Sequence, residues 1–214
     1  MAKKFYAVKV GKKPGVYRTW DECKEQTAGY PGAEFKGFND EEAALNYLEE
    51  EKEEEQFEDT DLPTAYVDGS YDEETGEYSY GVVFLYDARE TFLSGKDCKK
   101  EMSSMRNVAG EILGAIAAMQ FAMDNAITEF VIKHDYQGIA SWCTGEWQCK
   151  NPCTMAYRDF YNRAFNRMDI HFNKVQGHSG VFYNELADAL AKRELHKPIK
   201  KSLEEYLQAA EDLD

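Results

Sequence analysis

Long apolar runs are missing from this 214-residue chain. No stretch approaches the roughly 18 apolar residues that a membrane-crossing helix needs, and the opening MAKKFYAVKV has no uninterrupted apolar segment of the secretory kind. A cytoplasmic protein with no membrane partner is expected. Paired cysteines are missing too. The five present, Cys23, Cys98, Cys143, Cys149 and Cys153, are odd in number and lack CxxC spacing, which favours reduced thiols over a disulfide frame. A zinc site from Cys143, Cys149 and Cys153 is the weaker reading of that group. No internal repeat is visible. Cations are scarce, with 25 Lys and Arg against 40 Asp and Glu for a net charge of −15. A field of that sign repels polyanions, which at first argues against a nucleic-acid partner.

The distribution of charge removes most of that objection. From Lys3 to Phe38 there are eight Lys or Arg and four Asp or Glu, a balance of +4, interleaved with Tyr6, Tyr17, Trp20, Phe35 and Phe38. Residues 39–61 hold twelve acids and one lysine, most of them in LEEEKEEEQFED. That stretch reads as the end of a helix (EEAALNYLEE) running into a linker that self-repulsion extends. The chain therefore divides into a small basic module at 1–48, an acidic linker at 49–61, a larger domain at 62–197 and an acidic tail at 198–214. With 43% hydrophobic residues, a core for about 135 residues plus a small module is affordable.

Four carboxylates stand in apolar settings. They are Asp68 in TAYVDGS, Glu111 in RNVAGEILGAIAAM, Asp135 in EFVIKHDYQG and Asp188 in NELADALAKREL. Asp68 and Asp135 each end an apolar run that reads as a strand, where a carboxylate must be solvated, paired or bound to a cation. Glu111 and Asp188 lie in helical apolar patterns that turn them inward. Any one of them alone reads equally well as a turn former or a solvated acid. Together they span 43, 24 and 53 residues between neighbours, so only a folded domain gathers them, and four inward acids repel unless divalent cations intervene. Two-metal hydrolysis of a phosphodiester, with cations about 4 Å apart, needs such a set.

DGS at Asp68, N-x-x-x-E from Asn107 to Glu111, Asp135 closing a strand, and GHSG followed by NELAD resemble the type 1 ribonuclease H family over residues 62 to 197. The resemblance implies cleavage of the RNA strand of RNA/DNA hybrids with two Mg2+ ions, Mn2+ being a possible substitute. It implies that Asp68 bridges both metals while Glu111, Asp135 and Asp188 complete the site. It also places His178 where the family carries a loop histidine tied to proton transfer or product release. A lone histidine is more often structural, but Gly177 and Gly180 flank this one. A 2′-hydroxyl, which both donates and accepts, is read by small polar groups. Ser70, Asn107, Gln137 and Asn184 supply them, although Asn184 at a helix start also suits an N-cap.

FYAVKVGKKPGVYRTWDECKEQTAGYPGAEFKGF resembles the hybrid-binding domain found at the start of many such enzymes. Basic residues with aromatics suit a nucleic-acid surface, while some of the rings must also serve a small core. The resemblance singles out Tyr6, Trp20, Phe35 and Lys36 as contacts, with Lys12 and Lys13 on a turn as phosphate partners. RNA/DNA hybrid is the expected partner, and double-stranded RNA a further one for this module; no protein partner is inferred. Two departures matter. Gly37 stands where the family has a second lysine, and SWCTGEWQCKNPCTMAYRDF, with only Lys150 and Arg158 as bases, is shorter than the family's basic insertion. Trp142 and Trp147 fit either a DNA channel or the core.

The expected fold class is α/β, a ribonuclease H-like mixed five-stranded sheet with flanking helices, plus a small N-terminal α/β hybrid-binding domain. The expected strands are Phe5 to Val10, Val16 to Thr19, Glu34 to Phe38, Thr64 to Tyr71, YSYGVVFLYDA, Thr91 to Gly95, Phe130 to His134 and Asp169 to Val175. Helices are expected from Trp20, after a capping Asn39, and at Val108 to Asn125, Gln137 to Trp142, Met155 to Arg167 and Asn184 to Leu195. A magnesium-dependent endoribonuclease is the reading that follows; the alternative is a non-catalytic binder of hybrids or double-stranded RNA. The intact set of acids favours the enzyme.

Overall fold

A computed structural model describes residues 5–28, 30, 33–41, 43–45, 62–175 and 181–212. The chain forms two compact units, Met1–Glu58 and Asp59–Asp214. In the first, β1 (Phe5–Val10) is flanked by antiparallel β2 (Gly15–Tyr17) and β3 (Glu34–Phe38). Helix α1 (Trp20–Thr27) starts at a capping box in which Thr19 accepts from Glu22 N while the Glu22 side chain reaches back to Thr19 N. Ala7, Val8, Cys23 and Ala44 are fully buried there. Of the helix expected after Asn39, residues 41 and 43–45 are described and helical. Its cap is Asp40 rather than Asn39, for Asp40 Oδ1 accepts from Ala43 N at 2.7 Å. Most of the acidic linker lies outside the described residues.

The larger unit carries a five-stranded sheet in the order β6-β5-β4-β7-β8. Its strands are β4 (Thr64–Tyr71), β5 (Tyr78–Tyr86), β6 (Arg89–Asp97), β7 (Glu129–His134) and β8 (Asp169–Lys174). The first three pair antiparallel and β4, β7 and β8 pair parallel, the mixed sheet that the element order required. Between β6 and β7 run α2 (Lys100–Ser103) and α3 (Asn107–Asp124); between β7 and β8 run α4 (Gly138–Thr144) and α5 (Pro152–Phe165). After β8 come α6 (Phe182–Glu194) and α7 (Lys201–Glu211). The sequence pattern did not separate α2, and α7 occupies what composition read as an acidic tail. Leu203 and Leu207, four residues apart, bury against α6. Strand β6 is longer than expected because Asp87 and Ala88, both at positive φ (53° and 57°), make a two-residue hairpin turn.

Side-chain alternation splits the core into two layers. Ala65 and Val67 of β4 face α3, α4 and α5, whereas Tyr66 faces α6 and α7. Three glycines permit the closest helix contacts. A Cβ on Gly69 would overlap the Asn107 carbonyl oxygen and stand 2.5 Å from Glu111 N, and one on Gly110 would overlap the Ser79 carbonyl oxygen and stand 2.9 Å from Gly69 Cα. On the other face, a Cβ on Gly81 would overlap the Ala187 carbonyl oxygen and stand 2.7 Å from Ala191 N.

These contacts decide a sign. Alanine in a helix interior normally gains about 1 kcal/mol over glycine, but overpacking against backbone typically costs about 1–3 kcal/mol or more. Gly110→Ala should therefore lower the melting temperature by several degrees, and a thermal melt showing stabilisation instead would refute the close contact.

Candidate active site

Asp68 sits on β4 and Asp135 directly follows β7, its parallel neighbour. The pairing Tyr66 with Lys133, continued two residues, brings Asp68, in the second half of β4, level with Asp135 just beyond the carboxyl end of β7. That is where an α/β sheet opens a crevice. Asp188 comes from α6 and sits between Ala187 and Ala191, the two residues that close on Gly81, and Gly81 is the partner of Asp68 across β5. Glu111 arrives from the other face, on the first turns of α3, where Gly69 and Gly110 touch. Asp68, Asp135 and Asp188 line one cavity with Ser70, Asn107 and Lys192. The structure thus brings the four predicted carboxylates to one end of the sheet.

Their electrostatics are costly. Burial, and then the charges of Asp135 and Asp188, push the Asp68 carboxyl up to about 8, against the lowering effect of a 2.7 Å hydrogen bond from Gly69 N to Oδ1. Glu111 is 2% exposed, and burial followed by the charges of Asp135 and Asp68 pushes it up to about 9. Its Oε1 accepts from Asn107 Nδ2 at 3.4 Å. Among the described residues its buried Oε2 has no hydrogen-bond partner, and neither has Asn184 Oδ1. Such atoms are rare in folded interiors and invite a ligand. Asp188 is held differently: Lys192 Nζ, one helical turn on, meets Oδ2 at 2.6 Å.

The donor set fits divalent cations. It is all oxygen and all acidic, as Mg2+ and Mn2+ prefer, and it contains a buried oxygen without a partner. Among the described residues no three His, Cys, Asp or Glu side chains are already drawn into a metal cage. The Lys192 ammonium engages Asp188 Oδ2 at 2.6 Å. The same absence covers Cys143, Cys149 and Cys153, and all five cysteines are free.

The candidate substrate contacts fare unequally. Ser70 is buried and lines the cavity, and Asn107 is exposed as the first residue of α3. Gln137 precedes α4 and donates from Nε2 to Ser141 Oγ at 3.2 Å. Asn184 is not a cap. Helix α6 starts two residues earlier than its sequence suggested, with Val181 in the cap position and Asn184 buried in the first turn. His178 lies outside the described residues. Tyr136, Trp142 and Trp147 form a ring cluster at 5.8–6.1 Å; Trp142 is buried and Trp147 exposed, so the first serves the core and the second is free to meet a ligand. Lys192 escaped the sequence reading, although its i,i+4 spacing from Asp188 was the available signal.

In the N-terminal unit, Trp20 stacks obliquely between Tyr6 and Phe35, each 5.6 Å away, and Trp20 and Phe35 are exposed. Three rings in a row on a surface are a platform rather than a core. Lys36 Nζ lies 5.7 Å over the Phe38 ring. Lys12 and Lys13 are exposed on the turn between β1 and β2. Gly37 pairs with Tyr6, whose ring lies over it, 3.4 Å from where a Cβ would stand.

A family profile described as RNase H matches residues 61–196, and one described as Ribonuclease H1 N-terminal domain matches residues 4–48. Ribonuclease H of Pseudoalteromonas translucida is 31% identical over 137 residues, covering 59% of this chain and 85% of the relative. Human Ribonuclease H1 is 26% identical over 252 residues, covering 88% of each chain. The crystal structure of LC11-RNase H1 in complex with RNA/DNA hybrid superposes with a TM-score of 0.50 at 16% identity, over 62% of this chain and 99% of that one. No described helix is long and apolar enough to cross a membrane.

The raised carboxyls set a pH dependence. Glu111 ionises near 4.5 when unfolded and near 9 when folded, so its protonated form stabilises the fold fully below about pH 4.5, and that contribution is lost as pH rises through 9. Glu111→Gln should melt a few degrees above wild type at pH 8 in chelator, with the gap closing towards pH 4. Mg2+ should raise the melting temperature of wild type more than that of the variant. Melts in which the gap does not change with pH would refute the assigned environment.

Proposed function

The chain belongs to the ribonuclease H family, and from that premise we propose that it is an endonuclease hydrolysing the RNA strand of RNA/DNA hybrids with two Mg2+ ions, for which Mn2+ can substitute. One observation carries the reading: four carboxylates from four separate elements meet at the open end of the sheet, and one of them buries an oxygen without a partner. A protein that only bound hybrids would gain nothing from the cost of burying them. Asp68, Glu111, Asp135 and Asp188 would hold the cations, with Asp68 between the others. Bound there, the cations would supply Lewis acidity to the attacking water and the leaving oxygen.

The protein's own groups do the rest. Asn107 and Ser70 border the carboxylates and suit a 2′-hydroxyl; the Gln137 amide, steadied by Ser141, suits the same task. Lys192 orients Asp188 through its contact with Oδ2. The exposed ring of Trp147 offers a surface for a sugar of the DNA strand. His178 is assigned to proton transfer or product release. The N-terminal unit grips the hybrid through Tyr6, Trp20 and Phe35, with Lys36, Lys12 and Lys13 on phosphates; the same surface suits double-stranded RNA.

Asp135→Asn removes a charge with little change of shape and should lower hybrid cleavage by at least about a thousandfold while hybrid still binds. A labelled-strand assay on hybrid, duplex RNA and duplex DNA reads both points, and near wild-type turnover by the variant sinks the assignment. Trp20→Ala with Lys36→Ala should weaken hybrid binding roughly tenfold and make the salt slope shallower by about one unit, with turnover at saturation retained. An unchanged affinity and slope would leave the three rings without a binding role.

A further inference from the structure

Helix α6 does not end passively. His196 N donates to the Arg193 carbonyl at 3.0 Å and Lys197 N to the Lys192 carbonyl at 3.0 Å, with His196 at φ 55° and Pro198 following. This is a left-handed helix stop with a histidine in the place usually taken by glycine. It turns the chain sharply and delivers Lys197 to the end of β4. There the Lys197 ammonium donates to Ser70 Oγ at 3.2 Å and to the Tyr71 carbonyl oxygen. Ser70 is buried, two residues beyond Asp68 on the same side of the strand, and lines the cavity of the carboxylates.

We propose that Lys197 is a positioning residue that sets Ser70 and the end of β4 for recognition of the RNA strand's 2′-hydroxyl. An ammonium has donors only, so in this contact the Ser70 oxygen can only accept and its own hydrogen is directed elsewhere. The hydroxyl is thereby fixed as a donor towards the cavity, the polarity needed to meet a 2′-oxygen. The bond to the Tyr71 carbonyl holds the backbone that carries it. Other cations at the cavity pair directly with carboxylates, Lys192 with Asp188 and Arg106 with Glu73; the hydrogen bonds of Lys197 go to a neutral hydroxyl and a carbonyl, while its charge is also felt at Asp72. The inference rests on the ribonuclease H reading and adds a residue to its means of telling ribose from deoxyribose.

The test uses the full chain and hybrids in which single riboses of the RNA strand are replaced by 2′-deoxyribose, one position at a time. In wild type the position read by Ser70 should slow cleavage roughly five- to tenfold when its hydroxyl is removed. In Lys197→Met, which keeps the apolar stem, that position should matter by less than about twofold, and KM for all-ribose hybrid should rise about fivefold with kcat little changed. Lys197→Arg, which keeps a charged donor, should recover most of the discrimination. Thermal melts of each variant accompany the kinetics. A Lys197→Met profile that superposes on the wild-type profile overturns the inference, as does a uniform fall in rate that tracks a lowered melting temperature. If wild type cleaves no hybrid at all, it is the ribonuclease H reading that fails; an active wild type with an unmoved profile overturns this inference alone.

Discussion

Two places where a helix backbone lies directly against a strand, with only hydrogen atoms between, fix everything else in the larger unit. At Gly69 and Gly110, α3 meets β4 so closely that either Cβ would overlap a backbone oxygen. At Gly81, α6 meets β5 in the same way from the opposite face. Because Gly81 pairs with Asp68 and Gly69 follows it, both contacts bracket a single carboxylate. The sheet supplies Asp68 and Asp135, and the glycines decide how near Glu111 and Asp188 can come. Looser helix packing would leave Asp68 and Glu111 in water, without the burial that raises their pKa values.

Close approach carries an electrostatic cost that the fold bears elsewhere. Asp68 and Glu111 are pushed up to about 8 and about 9, chiefly by burial, and no hydrogen-bond partner relieves Glu111 Oε2 among the described residues. The compensation lies in the two apolar layers on either side of the sheet, which bury Phe84, Phe130, Ile112 and Met119 on one face and Leu186, Leu190 and Leu207 on the other. Fully burying one such side chain is worth about 1.5–3 kcal/mol, so two destabilised carboxyls are within what these layers offset.

How much of this was legible follows from what each feature looks like in one dimension. The four acids stood out because a carboxylate at the end of TAYV or FVIKH contradicts its neighbours. The sheet followed from the element order and the helix starts from caps, though Asp40 proved a better cap than Asn39 and α6 began two residues before Asn184. The glycines were invisible as such, since a close backbone contact needs the partner element to be known. Helix α7 was missed because eleven residues with three acids look like a tail until the groove beside α6 is present to take Leu203 and Leu207. Lys197 lay beyond any local pattern, 127 residues from Ser70.

On the proposed function, affinity and chemistry reside in different units for a reason of charge. The larger unit is acidic, and its cavity gathers carboxylates whose neighbouring cations are already engaged, Lys192 with Asp188, Arg106 with Glu73 and Lys197 with Ser70. Its segment around Trp142 and Trp147 offers few bases to a phosphate backbone. Such a surface attracts divalent cations and repels the polyanion they must act on. Residues 3–38 of the first unit, with eight Lys or Arg against four Asp or Glu and three exposed or half-buried rings, have the opposite bias. Separating the two lets the catalytic cavity stay acidic enough to hold cations while the chain as a whole still binds a nucleic acid, because counterion release is governed by the cations that touch phosphate and not by the net charge of the protein.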